Sequence, residues 1–159
     1  MNKEILRLPL YTLITGVILR IVEHISIRIL VRGTAERTLK LGTTVFYIDL
    51  ILSIVAFVII GILLRQKYNR NAFFKSATLL VIYSVVIFAL EQIMQYIGYY
   101  NIINLYLYLP VSMFTVITSL LARIFNPEHI NWLYVIPSLF TPYLFLLFSI
   151  NLSSENTTT

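Results

Sequence analysis

The chain has 159 residues, 58% hydrophobic and 12% charged, with a mean hydropathy of +0.85 and a formal net charge of +5. Soluble domains carry about 25% charged residues, so this composition points away from a water-soluble fold and towards the lipid bilayer as the main partner. The absence of cysteine excludes disulfides, thiol nucleophiles, iron–sulfur clusters and cysteine zinc sites. The basic residues are scattered and lack the compact basic and aromatic surface of nucleic-acid binders, so no nucleic-acid partner is expected.

The amino-terminal run has Lys3 and Arg7 ahead of an apolar stretch that continues to Val31 with no small-x-small cleavage site. That pattern predicts an uncleaved first span over residues 5–31, long enough at about 1.5 Å per residue to cross a bilayer with tilt. Arg20, Glu23, His24 and Arg28 interrupt it. At 100° per residue these four and Gly16 share one arc of roughly 140°, with Ile14, Ile18, Val22, Ile25 and Ile29 opposite. The rival reading makes residues 20–40 an amphipathic helix lying at the membrane interface.

A polar, glycine-containing connection follows, and a second span is predicted over residues 44–64, with Asp49 its only charge. Asp49, Ser53 and Ala56 share a face, which suits close helix approach. The basic connection Arg65 to Asn71 leads to a third span over 73–99, whose Ser84, Glu91, Gln95 and Tyr99 fall within about 80° of one another. A tight turn at 98–102 precedes a fourth span over 103–124. Pro110 is expected to kink it, beside a Ser112, Thr115, Ser119 stripe. Trp132 and Tyr134 mark an interface at the start of a fifth span, 132–152, which contains Pro137 and Pro142. Residues 153–159 form a polar tail.

These elements describe an all-α, polytopic integral membrane protein: one domain over 1–152, a bundle of about five transmembrane helices joined by short loops. With the amino terminus in the cytoplasm, seven basic residues (Lys3, Arg7, Arg65, Lys67, Arg70, Lys75, Arg123) lie inside against three (Arg32, Arg37, Lys40) outside. The positive-inside rule favours that orientation in the cell membrane, which places the carboxyl terminus outside.

In this arrangement Arg20, Glu23, His24, Arg28, Asp49 and Glu91 lie at similar depth, with Gln95 one turn beyond Glu91. An unpaired Arg, Asp or Glu near the bilayer centre costs about 2.5–3.5 kcal/mol, so the groups are expected to pair in a polar core of three helices, partly walled by the fourth and fifth spans. Such a cluster either selects which helices pack or forms a site. No nucleophile elbow, H-E-x-x-H or paired-aspartate motif appears, so no catalytic residue is assigned and an enzyme is the less favoured class. Two histidines far apart in sequence give no metal spacing, His129 reads as a solvated loop residue, and no cofactor is assigned. Tyr47, Tyr96, Tyr99, Tyr100, Tyr106 and Tyr108 read as an interfacial aromatic belt. The sequons at Asn151 and Asn156 fall on the predicted outer side and carry meaning only in a glycosylating host.

The expected function is that of a non-enzymatic accessory, sensory or ligand-binding membrane subunit, with a membrane-protein partner or a second copy of itself. The alternative is a small ion-coupled transporter or channel protomer.

Overall fold

A computed structural model describes residues 5–31, 39–65, 70–98, 106–125 and 132–152. The expectations for Tyr99, Tyr100, His129, most of the basic connection after Arg65 and the tail with the Asn156 sequon lie outside these residues. The described elements are all helical: α1 (Arg7–Val31), α2 (Leu39–Arg65), α3 (Arg70–Tyr96), a 3-10 turn (Leu109–Val111) running into α4 (Ser112–Phe125), and α5 (Trp132–Phe140) continuing as a 3-10 stretch (Thr141–Leu152). α2 begins five residues before the expected 44, and α1 passes through Arg20 to Val31 without a break.

Two segments, Leu41–Arg65 and Arg70–Tyr96, are long and apolar enough to cross a membrane, with hydropathies of 2.7 and 2.1. Both are inside out by the standard of a soluble core helix: only 22% and 39% of their most apolar windows are buried. Ile14, Ile18, Ile21, Ile25 and Ile29 of α1, Ile51, Ile54, Val58 and Ile62 of α2, and Ile82, Val86 and Ile93 of α3 all point outward. Four of the five residues of the aliphatic arc expected on α1, Ile14, Ile18, Ile25 and Ile29, are therefore on an outer face, while Val22 is half-buried.

α1 and α3 run parallel, and α2 runs antiparallel to them. One end of the bundle holds the apolar core, where Leu8, Ile60, Leu64, Phe73, Leu80, Phe114 and Phe145 cluster. Phe145 packs between Phe57 and Phe114, at ring separations of 4.5 and 6.1 Å. The other half is more polar, and it contains Asp49 and Glu91.

The fourth segment departs from the expected full-length span. Tyr83 Oη donates to the Leu107 carbonyl at 2.9 Å, and the turn Leu109–Val111 then packs against Gly16, well short of the first turn of α1. From there α4 returns towards the first turn of α2, where Arg123 donates from Nη2 to the Gly42 carbonyl and from Nη1 to Thr43 Oγ1, each at 3.3 Å. Its guanidinium also stacks 4.3 Å from the Phe46 ring centroid. Over its described residues the segment therefore runs from mid-bundle back to the end where α2 begins, and does not cross the full height. Pro110 does not kink a continuous helix: with no N–H to give and a ring that clashes with residue i−4, it sits where a helix begins.

α5 then descends the full height. Thr118 Oγ1 donates to Ser138 Oγ at 2.9 Å, and further down Phe148 packs over Gly61 and Tyr143 stacks on Phe74. Pro142 has no N–H to offer the Ser138 carbonyl, which accounts for the α-helix giving way to 3-10 geometry at Thr141. Nine α and twelve 3-10 residues reach about 37 Å together, at about 1.5 and 2.0 Å per residue. The described ends, near Arg7 and Leu152, consequently lie at the same end of the bundle.

Candidate functional site

The polar half encloses a cavity of about 570 Å³, walled by α1, α2, α3, the 3-10 turn, α4 and α5. Arg20 and Glu23 reach it from α1, Asp49 and Ser53 from α2, Ser84 and Glu91 from α3, Tyr108 and Ser112 from either end of the 3-10 turn, and Thr115 and Arg123 from α4. Leu19, Phe46, Phe88, Val111, Phe114 and Leu139 supply apolar walls. A mainly apolar concavity with a few convergent polar groups, in the range of about 300–1,000 Å³, is the usual form of a small-molecule site.

Each charge has a distinct setting. Arg20 Nη1 donates to Glu23 Oε2 at 2.5 Å, a pair one helical turn apart. Glu91 accepts a short hydrogen bond from the Tyr108 hydroxyl at Oε2 and a longer one from Gln95 Nε2 at Oε1, 3.5 Å away. Asp49 Oδ1 is buried and has no hydrogen-bond partner among the described residues. An unsatisfied buried carboxylate oxygen in a polar cavity leaves room for a ligand or ordered water to complete it.

Four of the residues singled out in the sequence, Arg20, Glu23, Asp49 and Glu91, thus line one cavity. Gln95 is exposed and joins only through Glu91. His24 and Arg28 are exposed on α1 and do not line the cavity, so the expected pairing of Arg28 with the carboxylates is not made. The angular reason is simple: Arg20 and Glu23 straddle the inward direction, whereas Arg28 lies about 80° beyond Arg20 on the helix.

Sequence reasoning missed Tyr108, read as part of an aromatic belt, and Arg123, expected at the opposite end of the bundle. The Tyr108 role had a weak signal, since a tyrosine two residues before an intrasegment proline sits where the backbone turns. Arg123 had none, because its placement follows from the fourth segment turning back. Among the described residues, no group of three or more His, Asp or Glu side chains could hold a metal ion.

Comparison with family models, curated proteins and solved structures finds no match to this chain.

Proposed function

We propose that the protein is a multi-pass membrane protein of the cell membrane that binds a small ligand in the cavity between α1, α2, α3 and α4, acting as a sensory or accessory subunit and not as an enzyme. The observation that carries this reading is Asp49 Oδ1, buried without a hydrogen-bond partner among the described residues on the wall of a cavity of about 570 Å³. A carboxylate present only to select helix packing would be closed by a cation or a donor from a neighbouring helix. The outward isoleucines of α1, α2 and α3 support a lipid environment.

The reading has four crossings, α1, α2, α3 and α5 with its 3-10 continuation, plus a half-depth hairpin formed by the fourth segment. Irregular backbone at membrane depth is tolerated where protein surrounds it or where it lines a cavity, and the turn at Leu109–Val111 packs on α1 and lines the cavity. Both termini then share a side. By sequence position, this topology assigns six basic residues (Lys3, Arg7, Arg65, Lys67, Arg70, Lys75) to the side of the termini and four (Arg32, Arg37, Lys40, Arg123) to the other, a bias that favours a cytoplasmic amino terminus.

The natural absence of cysteine provides the test. Ser112→Cys and Thr115→Cys place a thiol on the cavity wall, and Ile54→Cys places one on the outer face. Only a hydrated thiol forms the thiolate that reacts with iodoacetamide. In bilayer discs the first two should label at least tenfold faster than the third; equal, slow labelling at all three sites would remove the ligand-binding reading.

A further inference from the structure

Resting on the ligand-binding reading, we infer that the occupant of this cavity is an organic cation, a quaternary or protonated amine attached to an apolar body. Among the described residues, the charges that face the cavity are Arg20, Glu23, Asp49, Glu91 and Arg123. Arg20 and Glu23 neutralise one another within α1. Arg123 is exposed at the rim and already engaged by the Gly42 carbonyl, Thr43 Oγ1 and the Phe46 ring face. What remains inside is Asp49 and Glu91, on α2 and α3, with neutral donors as their only partners or none.

An anion would meet these two carboxylates with no free cation among the described residues to balance them, and a wholly apolar molecule would leave Asp49 Oδ1 unsatisfied. A cation satisfies both. Phe88 and Tyr108, which share the wall with Glu91, present aromatic surface of the kind that attracts ammonium groups. The apolar walls take the remainder of the molecule.

Three probes of nearly one shape separate the possibilities: phenyltrimethylammonium, its neutral carbon isostere tert-butylbenzene, and benzenesulfonate. Protection of Ser112→Cys from iodoacetamide is read in bilayer discs for each. Phenyltrimethylammonium should slow labelling saturably, the other two should not, and Asp49→Asn or Glu91→Gln should raise its half-protecting concentration tenfold or more. Glu91→Gln serves where Asp49→Asn does not fold, as judged by monodispersity and thermal unfolding. Equal protection by all three probes, protection by benzenesulfonate alone, no protection by any, or no change in either variant overturns the cation inference. Ser112→Cys that labels in the absence of probe keeps the cavity reading intact in each of those cases; failure to label at all removes the cavity reading itself.

Discussion

Gly16 of α1 lies so close to the Leu109 carbonyl that a Cβ at that position would overlap it. Backbone meets backbone there, and the turn that carries Pro110 and starts α4 is held against α1 by the missing side chain. Gly16→Ala should therefore destabilise the fold by about 1–3 kcal/mol, the usual cost of forcing atoms into a filled interior. Gly61→Ala is the comparison: its Cβ would overlap the Phe148 side chain and not backbone, so a smaller loss is expected. Thermal unfolding in one detergent orders the two.

Tyr108→Phe removes the hydroxyl that Glu91 accepts from, across seventeen positions of chain. Hydrogen bonds to charged groups contribute about 1.5–3 kcal/mol when made and buried, and this one ties α3 to the turn. A double-mutant cycle with Glu91→Gln should show a coupling above about 1 kcal/mol, the signature of residues in direct contact. Additive effects would mean that the contact contributes nothing.

Ser76 Oγ is fully buried and lacks a hydrogen-bond partner among the described residues, on the face of α3 that meets the apolar core. Ser76→Ala removes a polar group with nothing to satisfy it, so stability should be unchanged or should rise by about 1 kcal/mol. Ser84→Ala, two turns before Glu91 on α3, loses a bond to the Leu80 carbonyl at 2.9 Å and should not gain. A melting temperature that falls further for the first than for the second would contradict this.

Thr118 and Ser138 bring their hydroxyl oxygens to 2.9 Å between α4 and α5. Thr118→Cys with Ser138→Cys should form a disulfide under mild oxidation, because the two side chains point at one another in contact. Its rapid formation, seen as a mobility shift reversed by reductant, fixes the pairing of the returning helix with the next one.

Fluorescent-protein fusions at the two termini test the crossing number. Four crossings with a half-depth hairpin put both fusions in the cytoplasm, where both fluoresce; five crossings leave only the amino-terminal fusion bright. An accompanying cysteine at Phe125, exposed at the end of α4, should label from the outside in the first case.

The helical class and the outward aliphatic stripe of α1 were legible in the sequence, because periodicity along one helix is a local property. Hydropathy likewise marked α2 and α3 to within five residues, since each is a continuous apolar run. The inward carboxylates Asp49 and Glu91 stood out because a charge inside such a run must be explained.

Only the tertiary structure decided what those charges meet. Whether Arg20 pairs with Glu23 one turn away or with Asp49 on another helix depends on helix rotation and distance, which no spacing rule supplies. The return of the fourth segment was equally hidden: residues 103–124 are apolar enough to cross, and a hydropathy profile has no sign for direction. Close packing of the Leu109 carbonyl on Gly16 and the anchoring of Arg123 at Gly42 and Phe46 turn the chain back, and those are contacts between residues more than 75 apart in sequence.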